Sequence, residues 1–180
     1  MARRRKSLWK GAVAGLAGGL VASWVMTEAQ TGMEAIAKKL QQNRKSSSPD
    51  SEHKKNEQPE GSEDATVKTA KRLSHTFLHR SLNSNEKEKA GPIVHYAFGT
   101  LIGGIYGATA ENVPQIKSGY GLPFGAAIFV GADEIAVPAL GLSPKSFSET
   151  EPQEHAYALL SHFVYGATAE IVRRRVRAWL

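Results

Sequence analysis

The sequence predicts an all-α membrane protein with four transmembrane helices, arranged as two tandem hairpins with a polar, partly disordered insert in the first. Three observations lead to this fold class. Four long segments contain little charge, glycines recur every four residues within three of them, and one run of six residues occurs twice. The chain has 180 residues, the usual size of one domain. Residues 1–180 are therefore interpreted as a single membrane domain.

Charge is concentrated outside the apolar segments. Residues 34–94 contain 12 of the 23 Lys/Arg and 9 of the 17 Asp/Glu, and nine more basic residues lie near the two termini. The mean hydropathy of −0.33 averages these polar parts with apolar ones, so it does not indicate a soluble protein. Cysteine is absent, which excludes disulfides, thiol catalysis and cysteine-bound metal.

The four apolar segments are each close to the ~20 residues that a helix needs to cross ~30 Å of hydrocarbon. None is rich in leucine or isoleucine, and two contain acidic residues. A soluble helical domain with buried Gly/Ala-rich helices is therefore the alternative. The predicted spans cover about 11–27, 93–110, 121–142 and 156–172.

Glycine within the spans favours the membrane interpretation. In a soluble helix glycine costs ~1 kcal/mol relative to alanine, whereas in lipid small residues allow helices to approach closely. The spacing leaves open whether these glycines pack within one chain or between the copies of a homo-oligomer. The stripes consist of Gly11, Gly15 and Gly19 in the first span, Gly99, Gly103 and Gly107 in the second, and Gly121 and Gly125 in the third.

The basic residues at the two ends predict the orientation. Five lie within residues 3–10, before the first span, and four lie within residues 173–177, after the last. Because Lys and Arg near the ends of spans stay in the cytoplasm, both termini are expected inside and the insert outside. A cleaved signal peptide that ends near Ser23 is an alternative for the first span.

The same charge has a second interpretation. A net charge of +6 would also fit a basic soluble helical protein that binds nucleic acid or a membrane surface. Membrane topology already accounts for where the basic residues lie. We therefore predict the lipid bilayer as a partner and no nucleic-acid partner.

The insert covers residues 34–92 and is predicted to lie outside the membrane. Residues 46–64 contain no large apolar residue and are expected to be disordered, because they cannot bury enough surface to fold. On either side, residues 32–45 and 65–82 have apolar residues at helical spacing. They are interpreted as amphipathic helices, either at the membrane surface or packed on each other.

Two parts of the chain are repeated. Residues 106–111 and 165–170 both read YGATAE, at an offset of 59. A weaker alignment, at an offset of 106, pairs Gly15 with Gly121. Together they indicate two hairpins of the same orientation, spans 1–2 and spans 3–4, that form a parallel repeat. Convergent Gly/Ala composition is the alternative.

Ionisable residues at membrane depth are costly and suggest a function by default. They could instead neutralise one another and hold helices together, which is the interpretation we favour. Glu170, for example, is followed by arginines three and four residues later, within reach on the same helix. The candidate intramembrane polar residues are Glu28, His95, Asp133, Glu134, His162 and Glu170.

The depth of these residues in their spans predicts two pairs on the outer side. Asp133 and His162 are expected at a similar depth, because both lie in the outer half of a ~30 Å core. Glu28 and His95 are expected together near the outer boundary. Pro138 cannot donate a hydrogen bond to the carbonyl of the residue four positions earlier, so a kink is predicted there in the third span.

The C-terminal part resembles a known family. Residues 135–144, IAVPALGLSP, have the form apolar-Pro-x-x-Gly-Leu-Ser/Thr-Pro and are followed by an acidic loop, SHFV at 161–164 and AEIVRR at 169–174. This pattern is similar to the YagU-like inner-membrane family of unknown function. The resemblance covers about residues 130–177, extends to the glycine-rich first two spans and leaves out the polar insert. Asp133 departs from the pattern of that family.

The resemblance implies a multi-pass protein of the bacterial inner (plasma) membrane and singles out Pro138, His162 and Glu170, but it implies no reaction. The chain has no phosphate-binding glycine loop, no G-x-S-x-G and no H-E-x-x-H. No enzyme activity, cofactor or metal site is therefore predicted. The leading hypothesis is a membrane protein that acts by helix packing and partner contact, as a homo-oligomer. The alternative is a small proton- or ion-coupled transport or pH-responsive element that uses Asp133, Glu134 and His162.

Overall fold

The computed structural model describes residues 7–46, 84–140 and 152–180. These ranges are almost entirely helical and contain no strand, so the all-α prediction is confirmed. Helix α1 covers Leu8–Ser46, helix α2 covers Ser84–Asn112 and a 3₁₀ helix, Pro114–Gly121, follows α2. Helix α3 is the continuous run made up of Leu122–Ile128, the π-helical Phe129–Ala136 and Val137–Ala139, and helix α4 covers Pro152–Trp179.

Helix α1 is central in the bundle. It packs along α2 and along α4, whereas α3 packs mainly against α4. The beginning of α3 also meets α2 through stacked rings, with 4.0 Å between the centroids of Tyr106 and Phe124. We call the end of the bundle near Ser7 and Trp179 the terminal end, and the end that leads into the insert the insert end.

The glycine stripes of the first two spans face each other within the chain. A β-carbon on Gly15 would overlap the carbonyl oxygen of Gly103, and a β-carbon on Gly103 would overlap that of Gly15. Gly19 has the same relation to the carbonyl oxygen of Gly99. These stripes therefore close α1 on α2 and are not available for contact between copies.

A second small face of α1 closes it on α4. A β-carbon on Gly18 would overlap the carbonyl oxygen of Ala169, and Ala14 and Ala22 are fully buried in the same region. The four-residue spacing that identifies the stripe Gly11–Gly19 does not include Gly18. Sequence reasoning therefore missed this face.

The two hairpins are packed alike. In each, a glycine of the second helix fits between two glycines of the first. These are Gly107 between Gly11 and Gly15, and Gly166 between Gly121 and Gly125. This shared packing supports the predicted repeat. It makes Gly15 equivalent to Gly125, whereas the sequence alignment paired Gly15 with Gly121, which is one helical turn away. The alignment could not distinguish the two, because glycines four residues apart look equivalent in sequence.

Two of the four predicted spans lie in helices that are long and apolar enough to cross a membrane. These helices cover Leu8–Leu40 and Pro114–Ala139. The prediction of four such spans is thus met only in part. Helices α2 and α4 are long enough, at 29 and 28 residues. Their mean hydropathy is lower because they contain glycine, threonine, tyrosine and histidine in place of leucine and isoleucine.

The irregular part of α3 lies before Pro138 and is not a simple kink at that residue. The backbone N–H of Val137 donates to the carbonyl of Ala132, five residues earlier, as in a π-helix. Such turns hold one residue more than α-helical turns and are frequent at functional sites. The predicted kink is therefore replaced by eight π-helical residues, from Phe129 to Ala136.

The ends of the predicted insert are parts of the helices. Residues 32–46 continue α1 without interruption, so the first amphipathic segment is not a separate helix. Residues 84–92 begin α2. The second amphipathic segment, 65–82, and the predicted disordered segment beyond Ser46 lie outside the described residues.

Small residues fill the contacts between helices, and large apolar residues point outwards. Alanine and glycine dominate the helix contacts, together with the rings of Tyr106, Phe129 and Tyr165. All four helices expose large apolar side chains along their lengths. Examples are Leu20 and Trp24 on α1, Phe98, Leu101 and Ile105 on α2, Val130 and Ile135 on α3, and Leu160 and Ile171 on α4.

Candidate functional site

One group of polar side chains lies at the terminal end of the bundle and centres on Glu170, which is fully buried. Its carboxylate accepts hydrogen bonds from Arg173 Nε at 2.7 Å, Arg173 Nη2 at 2.9 Å and Arg174 Nε at 2.6 Å. The hydroxyl of Tyr106 on α2 donates to it at 2.8 Å. The buried carboxylate is therefore neutralised and connects α2 to α4.

Glu111 has the same position in the first repeat as Glu170 in the second. Arg177 lies 2.6 Å from its Oε1 through Nε and 2.9 Å from its Oε2 through Nη2, and the N–H of Ser7 donates to Oε2 at 3.1 Å. The hydrogen bonds from Arg177 are the main reason why the pKa of Glu111 is lowered. Three of the four C-terminal arginines thus pair with these two glutamates, so their role extends beyond membrane topology.

A second polar group lies toward the insert end, where α3 meets α4. Asp133 Oδ2 lies 3.7 Å from His162 Nε2, and His162 Nδ1 lies 2.8 Å from the carbonyl oxygen of Ala158. Because a carbonyl oxygen only accepts, Nδ1 carries a hydrogen, and Nε2 carries one only when the ring is protonated. Protonation of His162 at Nε2 therefore makes its contact with the carboxylate attractive.

The neighbouring acid also faces a histidine. Glu134 Oε1 lies 2.6 Å from His155 Nδ1, and His155 lies two helical turns before His162 on α4. Two consecutive acids of the π-helical segment thus contact two histidines of one helix. Sequence reasoning missed His155 because this residue precedes the predicted fourth span and was placed in the connection.

The predicted pair of Glu28 and His95 is wrong. Glu28 is exposed, and it lies nine residues after Gly19, about half a turn around the helix from the glycine stripe that faces α2. His95 instead packs edge-on against the ring of Tyr96, with 5.6 Å between the centroids, and its Nε2 atom is buried.

A cavity of about 780 Å³ opens between the helices toward the insert end. All four helices line it, mostly with apolar side chains such as Met26, Phe98 and Ile128. The aromatic rings of Tyr106, Phe124 and Tyr165 pack between the helices. They lie between the cavity and the terminal end of the bundle. The polar residues of the wall are Ser23, Gln30, His95, Asp133, His162 and Tyr165.

Two polar atoms of this wall are buried and have no hydrogen-bond partner among the residues that the structure describes. They are Ser23 Oγ and His95 Nε2. The hydroxyl of the neighbouring Tyr165 is satisfied, because it donates to the carbonyl of Gly99 at 2.6 Å. Buried polar atoms rarely stay without a partner, so these two atoms need a partner that the described residues do not supply. Sequence reasoning noted Ser23 only beside a cleavage site.

No three His, Asp or Glu side chains within residues 7–46, 84–140 and 152–180 are placed to hold a metal ion. The chemistry that the described groups offer is proton transfer at the two histidine–carboxylate pairs and hydrogen bonding at Ser23 and His95. These groups line one cavity or flank it. We take this cavity and the two pairs as the candidate site.

A family model matches the chain over residues 49–171, about two thirds of its length, and is described as "Protein of unknown function (DUF1440)". The match includes residues 49–92 of the predicted insert, and the resemblance to the YagU-like family is not tested by it. It begins after α1. No curated protein and no solved structure matches the chain.

Proposed function

Because the chain belongs to the DUF1440 family, whose function is unknown, we propose its function from its geometry: a four-span protein of the bacterial inner membrane that acts by helix packing and partner contact and catalyses no reaction. The observation that carries the proposal is the distribution of apolar side chains, small inside and large outside. Exposure of a large apolar side chain to water forfeits ~1.5–3 kcal/mol relative to its burial. A bilayer removes that cost.

The helices of low hydropathy share this distribution. Phe98, Leu101 and Ile105 form an outward face of α2, and Leu160 and Ile171 are exposed on α4. Their polar groups turn inwards, where the charged pairs of α4 are buried and hydrogen-bonded. Inward, paired charges and outward apolar residues are what hydrocarbon requires of a span. We therefore propose that α2 and α4 cross the membrane with α1 and α3.

The orientation that we propose places both termini in the cytoplasm. Lys10, near the start of α1, and the arginines within 173–177 lie at the same end of the bundle, as Lys and Arg do on the cytoplasmic side. The resemblance to the YagU-like family supports the same membrane. Nucleic-acid binding is disfavoured, because three of the C-terminal arginines are engaged by glutamates.

A homo-oligomer remains part of the proposal, with one restriction. The glycine stripes close the chain on itself, so contact between copies would use the outward apolar faces. Those faces also contact lipid, which makes the bilayer the first partner that we propose.

Labelling of single cysteines tests the topology, and the natural absence of cysteine makes each introduced label unique. We propose the variants Ser48→Cys, Gln115→Cys and Lys145→Cys, probed in intact spheroplasts with a membrane-impermeant maleimide. Four spans expose Ser48→Cys and Lys145→Cys to the reagent and protect Gln115→Cys. If only α1 and α3 crossed the membrane, the reagent would label Gln115→Cys and would not reach Lys145→Cys.

Extraction with alkaline carbonate is the companion measurement. A four-span protein stays in the washed membranes, whereas a protein bound to the membrane surface or to nucleic acid is released. Release, or labelling at residue 115 with protection at 145, would refute the four-span proposal.

A second candidate function is a pH-responsive element or a proton-coupled transport element. The favouring observation is that Asp133 and Glu134, consecutive residues of the π-helical segment, face His162 and His155 of α4. Protonation of these groups would change how α3 is held against α4. This candidate predicts that activity or conformation depends on external pH, and its energetic test is given in the Discussion.

A further inference from the structure

We propose that the cavity binds an uncharged amphiphile, with a hydroxyl- or carbonyl-bearing head and a long apolar chain, which enters from the bilayer between α2 and α3. This inference rests on the proposed membrane-spanning arrangement. It goes further, because it assigns to the protein a ligand and a site for it.

The two unsatisfied polar atoms define where the head binds. Ser23 is fully buried, and its hydroxyl can both donate and accept, as can the imidazole of His95 through its two tautomers. Both residues line the cavity, so a head with oxygen atoms placed against them would supply the partners that the described residues do not. A cavity filled only by lipid chains would leave these atoms without partners, which makes a head with oxygen atoms the better fit.

The charges of the wall indicate that the head is uncharged. No lysine or arginine is among the described lining residues, so a phosphate group would find no permanently charged cation there. Asp133 is held beside His162, and the two charges offset each other when the histidine is protonated. An ammonium head would have to compete with His162 for that carboxylate.

The rest of the cavity suits an apolar chain. Large apolar side chains such as Met26, Ile102, Ile128 and Val137 line it, and a volume of about 780 Å³ is within the ~300–1,000 Å³ of ligand pockets. Beyond the ring stack at their terminal ends, α2 and α3 do not pack closely on each other. The space between them is the path from the bilayer.

Photolabelling of the full-length protein tests the site. The probe is a diacylglycerol with a diazirine in one acyl chain, in nanodiscs of phosphatidylethanolamine and phosphatidylglycerol, with labelled residues mapped by mass spectrometry. We expect saturable labelling of cavity residues such as Ile102 and Ile128. Competition by unlabelled diacylglycerol or by an isoprenoid alcohol identifies the source of the ligand. Phosphatidic acid with the same chains should not compete.

Gly131 offers a way to block the cavity without disturbing the fold. It lines the cavity, and a β-carbon there would meet no atom within 4 Å. Gly131→Leu should therefore remove the saturable labelling while thermal stability is kept. Gly32→Leu is the matched control, because Gly32 is also a helical glycine with nothing within 4 Å, but it does not line the cavity.

A pair of serines tests the head. Ser23→Ala should weaken binding of the probe about 2- to 10-fold, the effect of one lost hydrogen bond. Ser161→Ala is the control, since Ser161 is equally buried but donates to the carbonyl of Tyr157 and lies outside the cavity wall. If Gly131→Leu does not fold, this pair decides the question.

Three results would overturn the inference. They are labelling that does not saturate and spreads over outward residues such as Leu101 and Ile105, competition by phosphatidic acid as strong as that by diacylglycerol, and equal effects of Ser23→Ala and Ser161→Ala. Retention in carbonate-washed membranes together with any of them would refute the ligand site alone. Release by carbonate would refute the membrane proposal and the ligand site together.

Discussion

Glu111 and Glu170 end the two repeated YGATAE runs, and each is bonded by an arginine of α4. The equivalent tyrosines have different partners, because Tyr106 donates to Glu170 and Tyr165 donates to the carbonyl of Gly99. The repeat therefore preserves the residue types, while the asymmetry of the bundle assigns each side chain its contact.

Glu111 predicts how acid affects stability. Its pKa is lowered from the ordinary value of 4.5, chiefly by hydrogen bonds from Arg177. A lowered pKa in the folded state means that the stabilisation is present above about pH 4.5 and is lost as the pH falls through the folded-state pKa. We expect Glu111→Gln to lose about 1–3 kcal/mol at neutral pH and to show a weaker dependence on acid than the wild type.

The measurement for Glu111 is unfolding in detergent between pH 3 and pH 7. Glu28→Gln is the control, because Glu28 is an exposed glutamate of α1. Equal losses for the two variants would contradict the assigned role of the Glu111–Arg177 pair.

The contact between Asp133 and His162 predicts an energetic coupling that grows as the pH falls. Since Nδ1 of His162 bonds to the carbonyl of Ala158, its Nε2 attracts the carboxylate only after protonation. Thermal unfolding of Asp133→Asn, His162→Gln and the double variant, from pH 8 to pH 5, measures the coupling. We expect about 0.5–1.5 kcal/mol at the acid end, in the lower part of the range for residues in contact.

Other titrating groups face the same region and must be separated from this pair. They are His95 on α2, and Glu134 with its partner His155. The double variant retains all three, so a pH dependence that survives in it belongs to them. Single effects that add at every pH would show that the pair is not coupled, and the pH-responsive candidate would lose its support at this position.

At the scale of the helix, spacing explains the contacts of α1 and α2, and the π-helical segment explains how α3 meets α4. Glycines four residues apart produce a flat stripe, and two such stripes allow the backbones of α1 and α2 to touch. In α3, the π-helical turns before Pro138 bring two consecutive acids against α4. The irregularity thus has a consequence for the candidate site and is not a local defect.

Substitution of Gly103 tests the helix contact. A β-carbon on Gly103 would overlap the backbone of Gly15 and Gly19, so Gly103→Leu must push α1 and α2 apart. We expect a loss of about 1–3 kcal/mol in thermal unfolding, as for other overpacked sites. Gly32→Leu adds the same side chain in open space and should have no such effect. Unchanged stability of Gly103→Leu would mean that the two helices do not meet through this stripe.

At the scale of the whole molecule, the bundle has small residues between helices and large apolar residues on the outside. Between these layers, the charged residues pair at the terminal end and the cavity opens toward the insert end. This division agrees with the proposal that a ligand enters from the bilayer toward the insert end, away from the charged pairs. The labelling of cysteines at 48, 115 and 145 decides whether the membrane surrounds all four helices.

Much of this arrangement follows from local sequence. The helices, the glycine stripes and the bonds of Glu170 to Arg173 and Arg174 were predictable, because each depends on residues within a few turns of one helix. The depth of Asp133 and His162 in their spans was likewise enough to place the two together. Mean hydropathy identifies α1 and α3 as candidate membrane spans, but it does not identify the glycine-rich α2 and α4.

Only the tertiary structure decided how each helix is rotated about its axis, and the site depends on that rotation. Depth along a span suggested that Glu28 would meet His95, but Glu28 points away from α2. The same rotation buries Ser23 beside Gly99 and directs His95 to the cavity wall, and it brings Tyr106 to Glu170. Contacts between helices distant in the chain depend on packing of all four, which no spacing within one segment encodes.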